Sequence, residues 1–310
     1  EHHGSTTYLS SATIVLMGQV LAATERLGVA SGGIMLPNHA PLVVAEQIGT
    51  LATLYPGRVE LGLGRAPGTD RLTAAALRRG ASDPGRFAEE ILEILTYLGD
   101  EPVPERLPGS LLLGASSAPD VAAQMHGPDA PRVRAIPGEG THPTVWVLGS
   151  SVNGARVAGR LGLPFAVASH FAPSQAEAAM TTYRSVLADA PQPVRPRVAA
   201  AVNVVLAPTC QEAQRLFTTA MTAAARVVGG RPGPLDPPTS DLEAWRALVP
   251  GRERAVESSM ALSFVGAPQE VVPRLRALVR RWDLDELLVV TTVHDPLLRR
   301  RSYELLAAAW

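Results

Sequence analysis

Apolar positions along this chain switch between two periods, and the switching lays out its elements. Residues 12–24 form an apolar run of helical length, and Val29 to Leu36 a short apolar run that reads as a buried strand. After Pro41, the residues Val44, Ile48, Leu51 and Tyr55 recur at spacings of four, three and four, which puts them on one helix face that Pro56-Gly57 ends. Val59, Leu61 and Leu63 then alternate with Glu60, Gly62 and Gly64, the period-two signature of a strand. Asp83-Pro84 suits the cap and first turn of a helix carrying Phe87, Ile91, Ile94, Leu95 and Leu98. The second half repeats the rhythm. Strands are predicted at 144–148, 164–169, 198–206 and 286–293, and helices at 152–161, 174–187, 210–227, 268–281 and 296–309.

This alternation predicts an α/β protein with a parallel sheet. No composition break or flexible linker divides the chain, so residues 1–310 read as one domain. Two irregular stretches interrupt it, at 99–143 and 228–250, both rich in Pro and Gly. Loops of that length are commonly lids or disordered segments. The strands number about six, whereas a closed barrel has eight. An open doubly wound sheet is the rival, but it needs a Gly-rich phosphate turn after its first strand, and no G-x-G-x-x-G follows any strand here. That absence favours a (β/α)8 TIM barrel.

Composition narrows the function classes. Apolar residues make up 46% and charged residues 18%, enough for a large core. A formal net charge of −1 offers no electrostatic reason to expect nucleic acid or an anionic membrane. The basic residues are all Arg. A single cysteine, Cys210, excludes an internal disulfide framework and a Cys-based zinc site. Cys210 opens a helix, where a thiolate is favoured, but with no His or acid close in sequence it reads as structural. No signal-peptide pattern and no membrane-length run is present, so a cytoplasmic protein is the expectation.

Five of the seven histidines, namely His2, His3, His39, His170 and His294, fall at or just after the ends of four predicted strands. In a β/α barrel that face carries the active site. The plainer reading is that loops carry polar residues anyway. There is no H-E-x-x-H and no evident carboxylate set, so no metal is expected. In Leu61-Gly-Leu-Gly-Arg65, Gly62 and Gly64 point opposite to the leucines and leave a face on which a flat ligand can lie close to the backbone. Arg65 at the strand's end can grip a phosphate, or it is a surface Arg on a tight turn. Gly149-Ser150-Ser151 ends a strand before a helix and offers either an anion site or an ordinary Ser cap. Paired Gly32-Gly33 inside a strand marks a bulge or a close ligand approach, or a plain strand-end kink.

Together these pieces resemble the bacterial luciferase-like superfamily of flavin-dependent monooxygenases. The resemblance rests on Glu1-His2-His3, Val29 to Pro37, Ala45-Glu46-Gln47 with the Leu51 to Tyr55 helix, and Pro56 to Arg65, its most specific stretch. It continues through Val145 to Ser151, Leu161 to Pro164 and Val265 to Glu270, and so covers essentially the whole chain. The likeness is greatest to the actinobacterial branch associated with antibiotic biosynthesis. It implies a (β/α)8 barrel with Glu1-His2-His3 at the end of strand two. The sequence would then lack strand one, helix one and most of strand two, roughly 30–45 residues at usual element lengths, as a truncation rather than a tag scar. His2 takes the position of the family's catalytic histidine, which assists proton transfer at the flavin and substrate. Gly32-Gly33 take that of a non-prolyl cis peptide under the isoalloxazine. Arg65 matches the phosphate-binding arginine, and Ser150 and Ser151 its partners, with Gly64 and Gly149 alongside. Luciferase proper carries a reactive cysteine where this chain has Gly64. The resemblance further implies reduced FMN supplied by a separate reductase, O2 and a small organic substrate, with His3, His39, His170 and His294 as candidate substrate contacts. It also implies a homodimer through the helices after strands two and three. Hydride transfer with F420 on the same barrel and non-catalytic flavin binding are the alternatives.

Overall fold

The computed structural model describes residues 1–66, 68–77, 84–99, 133–189 and 195–310. The expected Asp83 cap and the 100–132 part of the first irregular stretch lie outside these residues. The chain groups into two compact units, one of Glu1–Gly4 with Ser10–Trp146, the other of Ser5–Leu9 with Val147–Trp310.

The first unit holds α1 (Thr13–Ala22), β1 (Val29–Ala30), β2 (Ile34–Met35), α2 (Pro41–Leu54), β3 (Val59–Gly64), α3 (Arg71–Ala76), α4 (Phe87–Leu98) and the start of β4 (Thr144–Gly149). Pro41 at the first turn and Gly57 at φ 72° delimit α2, as Pro and Gly do at helix starts and stops. The stripe Val44, Ile48 and Leu51 is buried, and so are Phe87, Ile91, Ile94 and Leu98 on α4. The run read as one strand from Val29 to Leu36 is two short strands. Both pair in parallel with β3, Val29 opposite Val59 and Met35 opposite Gly64.

Ser31 explains how the break is tolerated. Its buried Oγ accepts from the Gly62 N–H at 2.8 Å and donates to the Gly62 carbonyl at 2.9 Å. One hydroxyl therefore does for Gly62 what a continuous neighbouring strand would have done. The Gly32–Gly33 peptide just beyond it is cis.

Alternation along β3 does not produce one bare face. All four residues from Leu61 to Gly64 are buried, as parallel strands covered on both sides are. A Cβ on Gly64 would stand 3.1 Å from the Met35 Sδ, so the glycine makes room for Met35 rather than leaving a vacant surface. A second close approach joins Gly49 of α2 to Gly138, where a Cβ on Gly49 would be 2.2 Å from the Gly138 Cα. Beside it the Gly140 N–H donates to the Gly99 carbonyl at 3.1 Å and the His142 N–H to the Leu98 carbonyl at 3.2 Å.

The second unit completes β4 and adds α5 (Val152–Leu161), β5 (Phe165–Val167), α6 (Ala176–Ala188), β6 (Val198–Leu206), α7 (Cys210–Val228), α8 (Glu253–Ser259), β7 (Ser263–Gly266), α9 (Pro268–Trp282), β8 (Glu286–Val290) and α10 (Pro296–Ala309). All its pairings are parallel: β4 with β5, β5 with β6, and β6 with both β7 and β8 over different stretches. Every residue of β6 is buried, which is why its sequence is a nearly unbroken apolar run. The predicted helices and strands of this half match closely. The four-residue β7 was not predicted, being too short to show a period.

The 228–250 stretch is held along α7. Trp245 and Val249 are buried with Ala225 and Val256. The Thr239 N–H donates to the Thr218 Oγ at 3.0 Å, and Arg226 pairs with Asp236 at 2.7 Å. That anchoring suits a fixed wall better than a lid.

Candidate active site in the first unit

The opening tripeptide lies against the segment that carries the glycine pair. The Glu1 nitrogen donates to the Gly33 carbonyl at 3.2 Å, and the Met35 N–H donates to Glu1 Oε2 at 3.1 Å. Sequence reasoning named His2-His3 and Gly32-Gly33 separately, and the fold brings them together through Glu1. The loop after Arg65 closes on the same segment. Gly68, at φ 59°, has its Cβ position 3.1 Å from the Glu1 carbonyl oxygen, and Thr69 Oγ1 donates to the His3 carbonyl at 3.1 Å. Arg65 itself is exposed just past the end of β3.

The Glu1 carboxylate is the centre of the group. Its side chain is 1% exposed. His3 Nε2 lies 2.7 Å from Oε1, His39 Nε2 lies 2.9 Å from both oxygens, and Asn38 Nδ2 donates to Oε1 at 3.2 Å. The short turn Leu36–Asn38 after β2 delivers Asn38 and His39 to it. Burial by itself would raise the Glu1 pKa. The hydrogen bonds from His39 and His3, the charge of His39 and the bond from Asn38 outweigh burial and hold it at about 2. His2 is partly buried, and that burial is the main cause that lowers its pKa.

No carboxylate partner for the histidines was visible in the sequence, and Glu1 is that partner. Its separation from His39 along the chain leaves no local pattern to read. The ligand atoms of Glu1, His3 and His39 lie within 4.8 Å of one another, a set that could also hold a metal ion. Gly32 is exposed, and a Cβ there would meet nothing within 4 Å among the described residues. Of the glycines read as possible points of close ligand approach, Gly32 is the exposed one, whereas Gly33 and Gly64 are buried.

The second unit holds the other expected residues. Gly149 ends β4, and a Cβ on it would be 3.3 Å from the Phe165 ring and 3.4 Å from the Gly154 Cα, so the first turn of α5 sits tight on the strand end. Ser151 occupies the N-cap position of α5, yet its hydroxyl makes no capping bond. Ser150 is half-buried. His170 follows β5, with Nδ1 buried and without a hydrogen-bond partner among the described residues, and its ring is edge-on to Phe171 at 4.7 Å. His294 is exposed, next to Asp295, whose carboxylate caps α10. Cys210 does have an acid near it in space, since its Sγ donates to Glu270 Oε2 at 2.7 Å. No helix among the described residues is long and apolar enough to cross a membrane.

Known proteins carry the same pattern. The family described as luciferase-like monooxygenase matches residues 1–285. An uncharacterized Bacillus subtilis protein, YvbT, is 39% identical over 100% of this chain and 84% of its own length. An Escherichia coli luciferase-like monooxygenase is 38% identical over 98% of this chain and 83% of its own length. Among solved structures, apo-MsnO8 is 32% identical with a TM-score of 0.75, covering 100% of this chain and 85% of that one. Two more distant structures share the fold. One is an FMN-bound type II Baeyer-Villiger monooxygenase, 16% identical with a TM-score of 0.62, over 96% of this chain and 84% of that one. The other is an F420-dependent secondary alcohol dehydrogenase, 14% identical with a TM-score of 0.67, over 100% and 88%. The chain therefore belongs to the luciferase-like monooxygenase family, oxidoreductases on an α/β fold of the TIM-barrel type.

Proposed function

We propose that this protein is a flavin-dependent monooxygenase that uses reduced FMN and O2 to oxidise a small organic substrate, in secondary metabolism. The observation that carries the reading is the tie from Glu1 to Gly33 and Met35, which sets the histidines beside an open glycine backbone. The residues present fit a flat ring system there. Gly32 lacks the side chain that would fill that approach, and a Cβ there would meet nothing within 4 Å among the described residues. Reduced FMN, when bound, supplies the two electrons needed to reduce O2, one oxygen atom going to the substrate and the other to water.

The chain's own residues bind, orient and move protons. His2 is the proposed proton-transfer residue, and burial keeps its imidazole neutral to lower pH than usual, the state a general base needs. Arg65 is a proposed phosphate ligand, exposed and therefore able to reach one. Gly149, Ser150 and Ser151 are proposed as further phosphate contacts, the uncapped start of α5 providing N–H donors. Gly64, which makes room for Met35, is a proposed cofactor contact within the first unit, while His3, His39, His170 and His294 remain the proposed substrate contacts. A separate reductase in the cytoplasm would supply the reduced FMN.

With saturating reduced FMN, His2→Ala should lower substrate oxidation roughly 100-fold or more while FMN binding is retained. Product formation followed by mass analysis checks this, and unchanged turnover would remove His2 from the chemistry. F420-dependent hydride transfer is the second reading, supported by the F420-dependent structure of the same fold. Titration with both cofactors separates the two, because selective F420 affinity would overturn FMN.

A further inference from the structure

Four donors converge on one buried carboxylate: the Met35 N–H, the Asn38 amide and the Nε2 atoms of His3 and His39. An ionised carboxylate only accepts hydrogen bonds, so each imidazole must present an N–H to it. We infer that Glu1 is a positioning residue that fixes His3 and His39 with their protons on Nε2, leaving Nδ1 of each ring as its proton-accepting end. The two rings stand 6.4 Å apart, tilted by 48°, and are set by the one anchor. Because the same Glu1 also binds Gly33 and Met35, the anchor locates both rings relative to the open Gly32 backbone.

This assigns a function to Glu1, on which the sequence pattern was silent, and gives His3 and His39, candidate substrate contacts, a defined tautomer. The logic is that of a carboxylate orienting a catalytic histidine: the acid keeps its charge, and the ring's far nitrogen does the accepting. Here one carboxylate serves two rings. Asn38 and the Met35 amide donate to the same carboxylate, so rotating Glu1 away from either histidine would also disturb these bonds.

The test has a structural arm and a catalytic arm. In the cofactor-free protein, labelled with 15N-histidine and held above neutral pH, two downfield, slowly exchanging Nε2 protons are expected. His3→Gln and His39→Gln should each remove one of them. Glu1→Leu keeps the bulk but removes both acceptor oxygens, so neither should survive. Protons on Nδ1 in the unmodified protein, or both Nε2 signals persisting in Glu1→Leu, would overturn the inference. So would stoichiometric, chelator-removable Zn2+ bound through the Nε2 atoms, since a metal would then occupy the proton positions.

The catalytic arm rests on the monooxygenase reading. Glu1→Gln should lower kcat about tenfold or more at unchanged affinity for reduced FMN, with Glu1→Asp recovering part of the loss. If the imidazole protons behave as stated while FMN does not bind, the monooxygenase reading fails and the role of Glu1 stands. If FMN binds and turns over but kcat is unmoved in Glu1→Gln, Glu1 is structural only.

Discussion

At the scale of residues, two groups weaken the fold as pH falls, one as a buried neutral ring and the other as a paired carboxylate, in successive pH windows. His170 has an ordinary value of 6.5, and burial lowers it to about 4 in the folded chain. Between those values the unfolded chain binds a proton that the folded chain refuses, so stability falls as pH drops through the window. At pH 4 the loss should reach on the order of 3 kcal/mol relative to neutral pH. Urea midpoints measured from pH 7 to 4 should show this slope, and His170→Gln should flatten it; an unchanged slope in that variant would refute the assignment. Glu1 acts lower. Its folded value is about 2 against an ordinary 4.5, so its contribution is present above 4.5 and is lost as pH falls towards 2. His2 and His3 were legible because they stand together in the Glu1-His2-His3 motif. Glu1, Asn38 and His39 as one group were not, since hydrogen bonds between distant residues leave no period in a sequence.

At the scale of elements, most helices and strands were legible because each has a long buried stripe or an unbroken apolar run. The Val29 to Leu36 stretch misled for a physical reason: both halves pair with the same strand, so apolarity continues through a break in the ladder. Ser31 bridges that break, and hydrophobic patterning cannot see a hydroxyl acting as backbone. Ser31→Ala would leave the buried N–H and carbonyl of Gly62 unpaired, at a cost of about 1–3 kcal/mol. Chemical denaturation should show that loss. A variant as stable as the parent would mean that water or a shifted strand replaces the hydroxyl. Similarly, Gly62 and Gly64 read as a bare face because alternation assumes one solvated side, and β3 has none.

At the scale of the whole molecule, the α/β class and the family were legible from motifs spread along the entire chain, whereas the anchoring of 228–250 along α7 was not, because its Pro and Gly content signals only irregular backbone. Association with a second copy is a further expectation. Val15, Leu16 and Val20 of α1 are 73%, 46% and 40% exposed, an apolar face on the helix that follows the histidine segment. The double variant Val15→Glu with Val20→Glu should shift a dimer to monomer in light scattering, and a parent protein that is already monomeric would refute the contact. The paired hydrogen bonds between Leu98-Gly99 and Gly140-His142 carry a different consequence. They bring the two flanks of the 100–132 stretch to one point and hold them there beside the Gly49–Gly138 crossing. Ends pinned together in this way keep their places largely independently of the length of chain between them, since the entropy of joining two points changes only slowly with that length. That makes the interval a natural cassette for exchange between relatives: chimaeras joined at these ends should keep the barrel's chemistry and trade only what the inserted segment brings.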